Sequence, residues 1–135
     1  MNGVLVLLAL GLGLVAAGCG GQKTPSFAST VTAEIPRWAK AQGFGGNQEA
    51  LAGAKLFAES GCTHCHTYLG TGTQNLGAPD LSQEGARGKG VQAQVEFLRC
   101  PSCTNSSSAM PPFKALGDDN LRKVAVFLEA SKGKQ

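Results

Sequence analysis

Cys62-Thr63-His64-Cys65-His66 is the stretch on which the reading of this chain turns. Two thiols separated by two residues can add to the two vinyl groups of a haem. A histidine directly after the second thiol then falls beneath the iron. Covalent attachment suits a small domain, because it retains a group that packing alone would lose. The residues before the motif agree with this. Asn47 is a good helix N-cap and Gly61 a good stop. Between them Ala50, Gly53, Ala54 and Phe57 recur at the i, i+3, i+4, i+7 spacing of one helical face. Gly53 on that face would let a second helix come close.

The residues after the motif add two features. Pro79, in Gly77-Ala78-Pro79-Asp80-Leu81, lies 13 residues beyond His66, and Met110 precedes Pro111-Pro112-Phe113 in a serine-rich loop. A second helix fits Val91 to Arg99, with Val91, Val95 and Leu98 on one side. A third runs from about Asp119 to Ser131, where Leu121, Val124, Ala125 and Leu128 keep the helical spacing, Asp118 or Asp119 caps the start and Gly133 follows the end. No stretch alternates over strand length. The expected fold class is all-α, with three to four helices wrapped around one covalently attached haem on which the long loops pack.

From Asn47 to Ser131 this combination resembles the class I cytochromes c. The resemblance implies that Cys62 and Cys65 carry the haem and that His66 and Met110 are the metal ligands, one on each side of the iron. It implies that the Pro79 carbonyl accepts a hydrogen bond from the His66 Nδ1–H, that Leu81 packs on the haem, and that Gly53 and Phe57 meet Val124, Phe127 and Leu128 where two helices cross. The interval from His66 to Met110 is closer to short bacterial members than to the mitochondrial type. A haem ligated on both sides leaves no open position for substrate, so no catalytic residue is expected. The expected function is single-electron transfer, with redox proteins or a membrane oxidoreductase complex as partners. Either a tethered carrier or a fixed subunit of such a complex satisfies it. His64 is expected in solvent. Lys55, Arg87, Lys89, Arg99 and Lys114 are candidates for a basic rim that steers a partner.

The 135 residues suffice for one domain, and a net charge of +3 without basic clusters interleaved with aromatics excludes a nucleic-acid partner. Val4 to Ala17 is an unbroken apolar run, of signal-peptide length and short for a membrane span. Ala16-Ala17-Gly18-Cys19 resembles a bacterial lipobox, in which the cysteine receives lipid. The resulting division is a signal peptide at 1–18, a lipid-anchored tether and extension at 19–46, and a cytochrome domain at 47–135. Simple cleavage and an uncleaved anchor are the alternatives. All three place the domain outside the cytoplasm, and the lipid or the uncleaved anchor tethers it to the outer face of the cytoplasmic membrane.

Five cysteines are present; if one takes lipid and two take haem, Cys100 and Cys103 remain, and an exported domain favours a disulfide between them. A rival reading groups Cys62, Cys65, Cys100 and Cys103 as a tetrathiolate zinc site. Zinc ribbons, however, are built on β-hairpins and have no use for His66, Pro79 or Met110. A thiol–disulfide oxidoreductase motif at Cys100-Pro101-Ser102-Cys103 would require a strand meeting a helix.

Overall fold

A computed structural model describes residues 26–133; the apolar run and Cys19 lie outside the described residues. Six α-helices follow in order among the described residues: α1 (Phe27–Thr32), α2 (Ile35–Gln42), α3 (Gln48–Glu59), α4 (Val91–Arg99), α5 (Pro101–Thr104) and α6 (Asp118–Ala130). Between α3 and α4 two short strands, β1 (Thr67–Tyr68) and β2 (Thr71–Gly72), pair antiparallel with Thr67 opposite Gly72 and Tyr68 opposite Thr71. Two residues per strand cannot bury a face, so the core is helical and the class is all-α. Among the described residues, no helix is long and apolar enough to cross a membrane.

The α3–α6 crossing organises the fold. The Asn47 side chain accepts from the Ala50 amide at 3.0 Å and starts α3. Gly61, at φ 78°, takes the left-handed conformation that ends it. Gly53 sits so close to α6 that a Cβ there would run into the Lys123 carbonyl and the Phe127 side chain. That contact explains why the apolar face carries a glycine despite its cost inside a helix. Opposite it, Leu121, Val124, Ala125, Phe127 and Leu128 are all buried. The start of α6 differs from expectation. Gly117 occupies the N-cap position and neither Asp118 nor Asp119 makes a side-chain cap. Both aspartates lie in the first turn, where their charge complements the positive end of the helix dipole.

The largest departure from the sequence reading lies before Asn47. The polar stretch that reads as a tether, up to about Thr32, is helical from Phe27, and the helical residues of Glu34 to Gln42 form a second helix. Residues 27–44 close the core from one side, with Trp38 fully buried and Val31 and Phe44 nearly so. The Trp38 ring lies 4.8 Å from that of Tyr68 and stacks on that of Phe127 at 6.3 Å. Phe57 joins the group, 5.3 Å from Phe127. A few large apolar side chains anchor an otherwise polar segment, because each aromatic ring removes a large area from water. The folded unit therefore begins before the expected boundary at Asn47.

Candidate functional site

After Gly61 the backbone tightens into a single 3₁₀ turn over Cys62–His64, and the His66 amide closes back on the Cys62 carbonyl at 2.9 Å. Cys62, Cys65 and His66 are thus presented from one compact loop, each half-buried. The thiols of Cys62 and Cys65 are both free. Burial pushes the Cys62 thiol up to about 12; a backbone hydrogen bond opposes this and the neighbouring Cys65 adds to it.

The next segment fixes the imidazole. Thr73 N donates to Thr63 O at 2.9 Å, Asn75 N to Cys65 O at 3.0 Å and Leu81 N to Thr67 O at 2.9 Å, folding residues 73–81 back along the motif. Gly72, at φ 102°, allows this, since a Cβ there would meet the His66 carbonyl. The Pro79 carbonyl lies 2.8 Å from His66 Nδ1. A carbonyl can only accept, so Nδ1 carries the proton, and in the neutral ring Nε2 carries the lone pair. Asp80 accepts from Thr67 Oγ1 at 2.6 Å and from Ser82 N at 2.9 Å. Its partial burial favours the neutral acid, but the Ser82 and Thr67 donors outweigh that and hold the carboxyl below its usual range.

Leu81 is buried, and Met110 is half-buried against the core. The Met110 amide contacts Ser108 Oγ at 3.3 Å, and Phe113 N donates to Leu98 O at 2.9 Å, tying the methionine loop to the end of α4. At the other end of that loop a disulfide joins Cys100 to Cys103, with Cα atoms 5.3 Å apart, between α4 and α5. No strand borders this pair, unlike the surroundings of a thiol–disulfide oxidoreductase motif. His64 is exposed but not simply solvated: its ring lies 4.8 Å from that of Phe27 on α1.

Four of the five basic candidates are engaged in ion pairs: Lys55 with Glu59, Arg87 and Lys89 with Glu84, and Arg99 with Asp118. Their charge is partly spent inside the domain. Glu84 itself escaped the sequence reading, since nothing in its neighbourhood marks it as buried. It is 5% exposed, accepts from Lys89 Nζ at 2.8 Å and from Gln94 Nε2 at 3.0 Å, and Gln94 also donates to Glu129 at 3.1 Å. Burial would raise its pKa, but Lys89, Gln94 and Arg87 together lower it. The stability this contributes is complete above the unfolded glutamate value, about 4.3, and is lost as pH falls from there through the lower folded value. A Glu84→Gln chain should therefore show a shallower loss of stability than the parent as pH falls below about 4.3. Denaturant melts across that range check it, and parallel curves would contradict it.

The donor set fits a haem: two thiols at the ends of one turn, an imidazole with its lone pair on Nε2, and a thioether in a separate loop. It does not fit zinc. The disulfide consumes two of the four thiols, and among the described residues no three His, Cys, Asp or Glu side chains are grouped to hold a metal. A helical domain in which a C-x-x-C-H loop leaves α3 beneath the α3–α6 crossing is a class I c-type cytochrome. The chain belongs to the family described as cytochrome c oxidase, cbb3-type, subunit III, which residues 48–128 match. It is 30% identical over 82 residues to the cbb3-type cytochrome c oxidase subunit FixP of Rhizobium meliloti (strain 1021), an alignment covering 60% of this chain and 27% of that relative. No solved structure matches the chain.

Proposed function

We propose that this domain transfers single electrons at the outer face of the cytoplasmic membrane, through one haem c held covalently by Cys62 and Cys65. The observation that carries this is the His66–Pro79 contact beside two free thiols, which leaves Nε2 as the donor nitrogen. When bound, the haem supplies a one-electron iron couple. The protein's part is to hold and orient it. Pro79 fixes the His66 tautomer and ring plane and makes Nε2 a stronger donor. Met110 would supply the second protein ligand to the iron, and its loop is secured by the Phe113–Leu98 hydrogen bond at one end and the Cys100–Cys103 bridge at the other. Leu81 would give the haem an apolar wall. Cys19 carries lipid, so the domain stays at the membrane.

The family and the name of its relative favour a place as a subunit of a membrane oxidase complex over a freely swinging carrier. The folded extension argues the same way: with helix beginning at Phe27, few residues remain between it and Cys19. The intact mass of protein extracted from membranes after acid–acetone treatment tests attachment and anchoring together. The expected mass is the chain from an acylated Cys19 plus one haem. Haem that extracts would overturn the attachment. A chain starting at Met1 without lipid would assign an uncleaved anchor.

A further inference from the structure

The Gln42 side chain joins three parts of the fold that lie far apart in sequence. It ends α2 and is 4% exposed. Its Nε2 donates to the Ser82 carbonyl at 3.0 Å, and its Oε1 accepts from the Lys132 and Gly133 amides, each at 3.0 Å. Gly133 N also reaches Ser82 O at 3.1 Å. The extension and the C-terminal tail together therefore grip one peptide, that of Ser82.

Ser82 passes the constraint on. Its amide donates to Asp80 Oδ1 at 2.9 Å, and its hydroxyl accepts from the Leu69 amide at 2.8 Å. Asp80 Oδ2 is held by Thr67 Oγ1 at 2.6 Å, on the residue next to His66. Asp80 is also the residue whose amide nitrogen follows the Pro79 carbonyl. A hydrogen-bonded chain thus runs from Gln42 through Ser82 to Asp80, whose amide nitrogen is bonded to the Pro79 carbonyl carbon.

We propose that Gln42 is a positioning residue for His66: by gripping Ser82 it holds the Pro79 carbonyl against the imidazole and so sets the donor strength of Nε2. This rests on the reading of His66 as the haem ligand. The family match begins at residue 48, so the residue doing this lies in a segment outside the matched domain. An amide suits the role because it donates and accepts at once. Glutamate would keep the acceptor oxygens and lose the donor to Ser82. Alanine or leucine would lose both and leave the Lys132 amide short of an acceptor, while the Gly133 amide keeps the Ser82 carbonyl.

The test uses the haem-loaded, full-length protein and two readouts, solvent exchange of the His66 Nδ1 proton by NMR and the reduction potential. In Gln42→Leu the exchange should accelerate about tenfold, the size expected when one hydrogen bond is weakened. The potential should rise, because a weaker Nδ1–H···O bond makes Nε2 a poorer donor to ferric iron. Val31→Ala loosens the same extension without touching the chain of hydrogen bonds, and should leave both readouts where they are. Thr67→Val cuts the chain at its other end, and should reproduce the exchange effect even if Gln42→Leu does not fold. Unchanged exchange in Gln42→Leu or, where that chain does not fold, in Thr67→Val would overturn the proposal, as would a Val31→Ala effect of equal size. A parent protein whose His66 shows no haem-shifted resonance would instead overturn the ligand reading beneath it.

Discussion

A Met110→Ala chain should keep its haem and lose much of its reduction potential. A thioether favours ferrous over ferric iron, so removing it lowers the potential. The expected fall is on the order of 0.2 V, part of the roughly 0.8 V over which axial ligands set haem potentials. The near-infrared band of methionine-ligated ferric haem should vanish with it. The fold should survive, since Met110 is only half-buried and the loop around it stays tied through Phe113 to Leu98. Spectroelectrochemistry of the two proteins side by side decides the matter. An unchanged band and potential would mean that another side chain lies opposite His66.

Truncating Trp38 to alanine should be nearly as disruptive to stability as Met110→Ala is to the potential. The indole is fully buried among Phe57, Tyr68 and Phe127. Loss of a buried Trp costs about 3–5 kcal/mol, against about 5–15 kcal/mol for the whole of a typical domain. The extension would then detach from the core and release Arg37, which holds the β1–β2 turn through Leu69 O and Thr71 Oγ1. Chemical denaturation of the haem-loaded protein measures the loss. A change below about 1 kcal/mol would show that the extension adds little to the stability of the domain.

The site was more legible in the sequence than its supports. Cys62 to His66 is contiguous, and the helix-period face around Gly53 says directly where another helix must come. The expected bounds of α4 agree with the structure, and those of α6 differ by a residue. The extension was misread for a physical reason. Phe27–Thr32 is mostly Ser, Thr and Ala, and its anchors Val31 and Trp38 have no local partners. Their burial depends on Phe57, Tyr68 and Phe127, which only the tertiary fold brings to them. Tyr68 was missed likewise: it sits in a two-residue strand too short to alternate, and its hydroxyl finds Ser131 at 2.6 Å. Gln42 and Glu84 gave no signal, because polar residues read as surface until their partners are known.

The cap of α6 illustrates a different limit. An aspartate at a helix start satisfies either a side-chain cap or the dipole, and composition alone does not separate the two. Here Gly117 takes the N-cap position with φ 79°, which shifts both aspartates into the first turn. The basic residues show the same effect at the surface. They read as a steering rim in sequence, whereas Glu84 and Asp118 claim three of them in the folded chain.

Electron transfer through one haem on this chain is tested most directly by a potentiometric titration of the purified full-length protein, followed in its visible spectrum. The c-type bands should rise and fall reversibly along a single one-electron Nernst curve, with one haem per chain. No haem absorbance, or a spectrum that does not return on reoxidation, would contradict the assignment.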